Sequence, residues 1–255
     1  MRELLFENSR VTSNQRGQEI EIQLGHFCNN RCVFCASGQL TEQGLAQPVA
    51  ENQIFSALEE ASKAGVQRVT FLGGEPTVQE SFLPALGRAT ELGFQDIVIF
   101  TNGVRTGDSR FVDAIAKIGA FSWRFSIQGG DADSHDTAVG RPGAFKRLVA
   151  GLKHLQSLGH PVTSNMCLTS HAVQSLHRLP ALLRDHDISQ MCIDMVRPVS
   201  VGERDDAWMA SMLPRFSDLA PAIDGMLERF QEIDPEFDIN ITHLPYCVLP
   251  KWGHK

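Results

Sequence analysis

Residues 51–77, ENQIFSALEEASKAGVQRVTFLGGEPT, contain the helix-to-strand succession that decides the fold of this chain. Within them, apolar residues recur at the spacing of one helical face: Ile54, Ala57, Leu58 and Ala61. Gly65 follows at the position where a left-handed cap ends a helix. The apolar run 68–72 then predicts a short buried strand, which ends at the turn-like sequence Gly-Gly-Glu-Pro-Thr of residues 73–77.

The same alternation extends along most of the chain. Candidate strands are 19–24, 68–72, 96–100, 122–127, 162–168 and 191–196, and candidate helices are 51–64, 80–92, 109–118, 144–158 and 172–185. A helical segment from 206 to 230, interrupted near Pro214 or Pro221, precedes an extended segment at 238–243. Alternating strands and helices predict an α/β protein with a parallel sheet, either open and doubly wound or an incomplete barrel. In both architectures the reactive site lies at the carboxyl ends of the strands.

The composition is ordinary for a soluble globular protein. Of 255 residues, 42% are hydrophobic and 21% are charged, which excludes a disordered chain, a collagen-like repeat and a small disulfide scaffold. The formal charge of −7 makes nucleic acid an unfavoured partner. No apolar run is long enough to span a membrane, and residues 1–10 lack the apolar core of a secretory signal. We therefore expect a cytoplasmic protein with no membrane contact.

Three cysteines follow the first predicted strand in a tight cluster. Cys28, Cys32 and Cys35 lie within eight residues, in a loop that is polar at Asn29, Asn30 and Arg31. Thiolates at such spacing can converge on a soft metal centre, either zinc or an iron–sulfur cluster. A structural zinc site needs four ligands, and no second cysteine pair follows, although His26 is a candidate fourth ligand. A cubane held by three cysteines instead leaves one iron open to an exogenous ligand, which is a catalytic arrangement.

The motif Cys28-x-x-x-Cys32-x-x-Cys35, with Phe34 before the last cysteine, resembles the signature of the radical S-adenosylmethionine (radical SAM) enzymes. Gly73-Gly74-Glu75-Pro76, at the end of the next strand, resembles the glycine-rich motif of that superfamily. The resemblance covers roughly residues 19 to 200 and implies an incomplete (β/α)6 barrel with a short C-terminal extension. We accordingly divide the chain into a core, 1–200, and a helical extension, 201–255.

The resemblance also implies cofactors and site residues. Cys28, Cys32 and Cys35 would bind a 4Fe-4S cluster, whose open iron binds S-adenosylmethionine. Gly73, Gly74, Glu75 and Pro76 would contact the methionine moiety, because glycines admit close backbone approach and a carboxylate favours its amino group. Strand-end polar residues are further candidates for cofactor hydrogen bonds: Ser126, Gln128 and Asn165. Arg141 would either pair with the cofactor carboxylate or cap its own loop.

The implied reaction is reductive cleavage of S-adenosylmethionine to a 5′-deoxyadenosyl radical, which abstracts hydrogen from a substrate. Reduction requires an electron donor such as flavodoxin or ferredoxin. The motifs describe the radical initiator and not its target, so several targets stay open. Modification of a peptide or protein side chain is favoured slightly over rearrangement or cyclisation of a nucleotide-like metabolite and over activation of a glycyl-radical enzyme. A zinc-binding module without enzymatic activity is the alternative from a different class.

The remaining candidate residues carry less information. Cys167 and Cys192 lie in apolar strands and are expected to be inert buried thiols, and Cys247 in the tail is a possible site residue. The other histidines, including His135 and His160, form no ligand cluster and are expected to be solvated or to cap helices. Residue alternation places Asp194 and Arg197 on opposite faces of the last predicted strand.

Overall fold

The structure is a computed structural model that describes residues 19–197, 206–244 and 248. Strands and helices alternate along these residues, as the sequence predicts. The strands are, in chain order, β1 (Glu19–Gln23), β2 (Arg68–Leu72), β3 (Asp96–Thr101), β4 (Ser122–Ser126), β5 (Val162–Leu168), β6 (Gln190–Met195) and β7 (Asp238–Thr242). The first six agree with the predicted strands to within one residue at each end.

The helices are α1 (Ala36–Glu42), α2 (Glu51–Lys63), α3 (Phe82–Glu91), α4 (Ser109–Ala116), α5 (Ala132–Val139), α6 (Ala144–Ser157), α7 (Ser170–Val173), α8 (Leu179–Asp185), α9 (Asp206–Met212) and α10 (Phe216–Ile233). The helix predicted at 172–185 is wrong as a continuous element. It is divided into α7, a 3-10 turn at Leu176–Arg178, and α8. Pro180 lies in the first turn of α8, where its missing N–H costs nothing, and it therefore favours a new helix start there.

Seven strands form one sheet in sequence order, β1 to β7, and each neighbouring pair is parallel. The sheet curls into a half-barrel surrounded by helices, which confirms the predicted α/β partial barrel. The extended segment predicted at 238–243 is β7, which adds a seventh strand to the six expected. All carboxyl strand ends consequently meet at one edge of the half-barrel.

One face of the sheet packs against the helices. Phe71, Ile99, Trp123 and Phe125 are fully buried there in a core that also includes side chains of the helices, among them Leu58. Alternate strand residues point to the opposite face, which lines the inside of the half-barrel and which we call the polar face. Its residues include Glu21, Ser122, Arg124, Asn165, Cys192 and Asp194. Such a separation leaves the inside of the half-barrel available for polar ligands.

The tail follows the predicted pattern in part. The helical segment is interrupted at Pro214, between α9 and α10, whereas Pro221 lies inside α10. The division at residue 200 falls outside the described residues, as does Cys247. In the described part of the chain, no helix combines the length and the apolar character that crossing a membrane requires.

Two short helices are not predicted by the sequence patterns. α1 begins directly after Cys35, and its seven residues are too few to show a clear apolar period. α5 begins at a capping box, in which Asp131 and Ser134 each accept a hydrogen bond from the other's backbone N–H. Asp131 and Ser134 were the sequence signal for α5, because two polar side chains three residues apart are typical of a capping box at the start of a helix.

Candidate metal and cofactor site

The three clustered cysteines lie in the loop between β1 and α1, at the carboxyl edge of the sheet. Cys35 is the N-cap residue of α1, and its backbone N–H donates to the Cys32 carbonyl at 3.1 Å. The Cys28 backbone N–H donates to Thr41 Oγ1 at 3.2 Å, which ties the start of the loop to the end of α1. These bonds fix the backbone at both ends of the cysteine loop, and all three cysteines are half-buried.

The cysteine loop is a desolvated environment. Burial, and secondarily the charge of Glu75, raises the pKa of Cys28 to about 12. Burial also raises the pKa of Cys32 well above its ordinary value, with Cys35 and Cys28 adding to the increase. Burial likewise raises the pKa of Cys167, on the polar face of β5, to about 12, and Asp194 and Cys35 contribute. The end of β5 therefore lies close to the cysteine loop.

The donor groups around the loop suit an iron–sulfur cluster. The Asn30 backbone N–H and Asn102 Nδ2 both donate to Cys28 Sγ, at 3.4 Å and 3.7 Å. The Asn30 side chain is buried, yet neither its nitrogen nor its oxygen has a hydrogen-bond partner, so a polar group is available beside the cysteines. Among the described residues, no three His, Cys, Asp or Glu side chains are gathered closely enough to hold a single metal ion. Three thiol donors with N–H groups aimed at sulfur fit a 4Fe-4S cluster.

The glycine pair after β2 lies directly against the cysteine loop. Gly74 has φ +52°, and a Cβ built on it would stand 2.2 Å from the Phe27 carbonyl oxygen. Gly73 has φ +92°, and its Cβ would stand 2.2 Å from Gln23 Cγ. Only glycine accommodates both the backbone conformation and the contact. The two predicted motifs are therefore packed against each other, since Phe27 immediately precedes Cys28.

Glu75 differs from the sequence expectation in what its carboxylate contacts. The side chain is fully buried, and Oε1 accepts hydrogen bonds from the Thr77 backbone N–H and from the hydroxyls of Thr77 and Thr101. Oε2 accepts from the Asn102 backbone N–H at 2.7 Å. Burial raises the pKa of Glu75, while these four donors oppose the increase. The carboxylate thus fastens the loop after β2 to the end of β3, with both oxygens engaged by the protein itself.

Replacing Glu75 with glutamine is expected to lower the free energy of unfolding by about 3 kcal/mol. The side-chain nitrogen of the glutamine would face N–H or O–H donors at a fully buried position, where it has no acceptor. Urea denaturation of the two proteins measures the difference. The matched control is Glu80→Gln, at an exposed position, which is expected to change stability by less than about 0.5 kcal/mol. Equal stability of the Glu75 variant and the unmodified protein would contradict this role.

Asn102 is a site residue that sequence reasoning did not identify. Its side-chain nitrogen donates to Asn29 Oδ1 at 2.7 Å as well as to Cys28 Sγ, and its backbone N–H contacts Glu75. One residue therefore joins both motifs. The sequence signal for Asn102 as a site residue was its position directly after β3 and before Gly103. Arg141 supports the same loop by donating to the Asn29 carbonyl at 2.7 Å. This acceptor lies in the cysteine loop and not in the loop of Arg141 itself, so both roles expected of Arg141 stay predictions.

The other predicted cofactor contacts lie at the ends of β4 and β5. Ser126 Oγ donates to Asn165 Oδ1 at 3.2 Å on the polar face. Gln128 is buried, and its Oε1 accepts from the Cys167 backbone N–H at 2.9 Å, so its oxygen already bridges two strands. The structure brings Ser126 and Asn165 together at the edge that carries the cysteines, and it gives the oxygen of Gln128 a structural partner.

The expectation of solvated or capping roles is wrong for His135 and His160, which are both buried. His135 Nδ1 accepts from the Gln128 backbone N–H at 3.1 Å. Burial lowers the pKa of His135 from 6.5 to about 4, and the charge of Asp136 opposes the decrease. The folded protein therefore holds this imidazole in its neutral form at neutral pH.

The stability of the ligand-free protein is expected to fall as the pH decreases from 6.5 to 4, because the unfolded chain binds a proton on His135 that the folded protein excludes. The stabilisation is fully present above pH 6.5, and its loss amounts to about 3 kcal/mol. Urea denaturation across this range measures it. His135→Asn keeps an acceptor near Nδ1 and should remove that part of the pH dependence, whereas His177→Asn, at an exposed position, should preserve it. An unchanged pH profile in His135→Asn would contradict the assignment.

Comparison with known proteins defines the class of protein to which this chain belongs. The family model of the radical SAM superfamily matches residues 22–171, well over half of the chain. The chain therefore belongs to the radical SAM superfamily. Enzymes of this family use a 4Fe-4S cluster and S-adenosylmethionine.

The relatives of this chain are named for different functions. The chain is 25% identical over 240 residues to the PqqA peptide cyclase of Rhodopseudomonas palustris, covering 92% of this chain and 62% of that protein. It is 24% identical over 187 residues to a protein of Saccharolobus solfataricus named "Probable GTP 3',8-cyclase", covering 73% of this chain and 59% of that protein. The chain thus spans less than two thirds of the length of these relatives.

A solved structure shares the fold. SuiB of Streptococcus suis superimposes with a TM-score of 0.69 in its complex with S-adenosylmethionine, covering 93% of this chain and 53% of SuiB. The TM-score is 0.72 in its complex with the precursor peptide SuiA, covering 92% and 51%. Sequence identity is 18% in both comparisons, so this similarity describes the fold alone.

Proposed function

We propose that this chain is a radical SAM enzyme that modifies a peptide or protein side chain. Cys28, Cys32 and Cys35 would hold a 4Fe-4S cluster. The main structural support for this cofactor site is the packing of Gly74 against the Phe27 carbonyl, which joins the glycine motif to the cysteine loop. A cluster bound there would supply, from an external electron donor, the electron for reductive cleavage of S-adenosylmethionine, the chemistry that would lead to hydrogen abstraction from the substrate.

The residues of the chain have separable tasks in this proposal. Asn30 and Asn102 direct N–H groups at the sulfur of Cys28, and such hydrogen bonds tune the reduction potential of a cluster. Gly73 and Gly74 expose backbone for the methionine moiety, and Pro76 begins the short turn that follows. Glu75 positions this segment through its buried carboxylate and leaves the cofactor contact to the neighbouring backbone.

Two further residues would contact the nucleotide, and Gln128 would position them. Ser126 and Asn165 present a hydroxyl and an amide on the polar face. Gln128 supports these two residues, because its side-chain oxygen accepts a hydrogen bond from the Cys167 N–H and so fixes the spacing of β4 and β5. The polar face below them provides a surface on which a substrate can lie in extended form.

A peptide substrate is supported by the similarity to a PqqA peptide cyclase over 92% of this chain. The test uses anaerobically reconstituted protein, dithionite, S-adenosylmethionine and deuterated peptides encoded beside its gene. We expect a change in peptide mass and transfer of deuterium to 5′-deoxyadenosine. Formation of 5′-deoxyadenosine with every such peptide unchanged would contradict the peptide assignment.

A small nucleotide-like substrate is the second candidate, because a relative over 73% of the chain is named as a GTP cyclase. The same reaction with GTP in place of peptide distinguishes the two. In either case a flavodoxin or ferredoxin would supply electrons. The five described cysteines are free thiols, which suits a reducing compartment such as the cytoplasm.

A further inference from the structure

The polar face carries more carboxylates than guanidinium groups. The seven strands carry five carboxylates, Glu19, Glu21, Asp96, Asp194 and Asp238, and two guanidinium groups, Arg68 and Arg124. Strand alternation places all seven on the polar face. Arg68 forms an ion pair with Asp96 at 2.6 Å. The face therefore has an excess of negative charge, and Arg124 is its second cation.

Arg124 is oriented by packing alone. Its neighbours in β4, Trp123 and Phe125, are buried in the core, so its side chain extends over the polar face. Its Cζ lies 5.6 Å from the centre of the Phe100 ring, on the adjacent strand β3. Within the described part of the chain, no atom accepts a hydrogen bond from its guanidinium and no carboxylate forms an ion pair with it.

The nearby carboxylate of Glu21 does not satisfy this guanidinium. Burial, followed by the charge of Glu19, raises the pKa of Glu21, and the charge of Arg124 only partly opposes the increase. The two groups are close enough to interact but do not pair. An arginine offers five donors in a planar fork that matches a carboxylate, so a half-buried arginine that lies over an aromatic ring without an ion-pair partner is prepared for an external anion.

The position of Arg124 places this donor set where a substrate would lie. Arg124 precedes Ser126 by two residues and shares its face, and Arg124 pairs in register with Thr163 of β5. It thus lies one side-chain layer below the predicted nucleotide contacts. The surrounding carboxylates disfavour a polyphosphate and tolerate a group with a single negative charge.

We propose that Arg124, stacked on Phe100, binds a carboxylate of the peptide substrate, from either an acidic side chain or the C-terminus. This inference rests on the proposed function and names a specificity-determining residue for it. The substrate would place this carboxylate on the polar face while its reacting carbon lies nearer the strand ends.

Cys192 provides a local reporter for the test. It lies on the polar face beside Asn165, and the charge of Arg124 lowers its pKa against the larger effect of burial, so the two side chains are near each other. The rate of Cys192 modification by neutral iodoacetamide, followed by peptide mass spectrometry of the anaerobically reconstituted protein, reports occupancy of this region. The probes are acetyl-Ala-Glu-Ala-amide, acetyl-Ala-Gln-Ala-amide, acetyl-Ala-Ala-Ala with a free carboxyl terminus, and GTP.

We expect the Glu peptide, the free-carboxyl peptide or both to protect Cys192, and the Gln peptide to protect it at least about tenfold less well. Whichever of the two acidic peptides protects better identifies the source of the carboxylate. Arg124→Gln is expected to abolish the preference, and Arg124→Lys to retain part of it. Arg68→Gln is the matched control on the same face and is expected to preserve it. Circular dichroism checks that each variant is folded.

Equal protection by the Glu and Gln peptides, no protection by any peptide, or unchanged protection in Arg124→Gln would overturn the inference. Stronger, Arg124-dependent protection by GTP would overturn the assignment to a peptide. Assay of 5′-deoxyadenosine on the same samples separates the two claims. Cofactor cleavage without charge-selective protection contradicts the Arg124 site alone, whereas selective protection without cleavage contradicts the proposed enzyme activity.

Discussion

Protein in which Cys32 is replaced by alanine is expected to contain no 4Fe-4S cluster and to release no 5′-deoxyadenosine after anaerobic reconstitution. Cys32 is the central thiol of the motif and contacts the small apolar cluster of Val104, Val139 and Ala144. Alanine preserves most of that packing, so the fold should survive while one of three ligands is lost. Iron and sulfide analysis with the visible absorbance of the cluster measures the effect, and Cys28→Ala and Cys35→Ala should behave alike.

The matched control for the cysteine variants is Cys192→Ala. This half-buried thiol lies on the polar face, away from the loop after β1, and its replacement should leave the iron content unchanged. An intact cluster in any of the three motif variants would contradict their assignment as ligands. Stoichiometric zinc without iron or sulfide in the unmodified protein would instead support the zinc-binding alternative.

Gly74→Ala is expected to lower the free energy of unfolding by about 2–5 kcal/mol and to reduce cluster content. A residue with a side chain at φ +52° costs about 1–2 kcal/mol. The added Cβ would also overlap the Phe27 carbonyl oxygen, so backbone next to Cys28 must move, which costs a further 1–3 kcal/mol or so. Urea denaturation and iron analysis measure the two consequences.

Gly93→Ala separates conformational strain from the close contact. Gly93 has φ +78°, but a Cβ built there meets nothing within 4 Å. This variant should lose only the strain contribution, about 1–2 kcal/mol, and keep a full cluster. Equal effects of the two substitutions on stability and on iron content would show that the contact between the two motifs contributes neither to stability nor to cluster binding.

The alternation of strands and helices could be predicted because most strands have an apolar face, such as Ile20 and Ile22 in β1 or Trp123 and Phe125 in β4. The sequence predicts β7 only as an extended segment, because its place in the sheet depends on pairing with β6, which is distant in sequence. The break in the predicted helix 172–185 has two causes, Pro180 and the hydrogen bond from the Gly130 N–H to Ser175 Oγ. The second is a tertiary contact, so it cannot be predicted from a local sequence pattern.

The candidate site could be predicted where it consists of local motifs. The three cysteines lie within eight residues and the two glycines are adjacent, so each motif can be identified from its own spacing. The role of Asn102 depends on contacts with Cys28 and Glu75, which are 74 and 27 residues away, and could not be predicted from local spacing. The same holds for the buried Glu75 carboxylate, whose donors come from two separate strand ends.

The most direct test is analysis of the anaerobically reconstituted protein by electron paramagnetic resonance and by assay of 5′-deoxyadenosine. The radical SAM assignment predicts a reduced 4Fe-4S signal that changes when S-adenosylmethionine is added, together with 5′-deoxyadenosine that forms only in the presence of dithionite. A protein that binds no such cluster, or whose cluster signal is indifferent to S-adenosylmethionine and yields no 5′-deoxyadenosine, would contradict it.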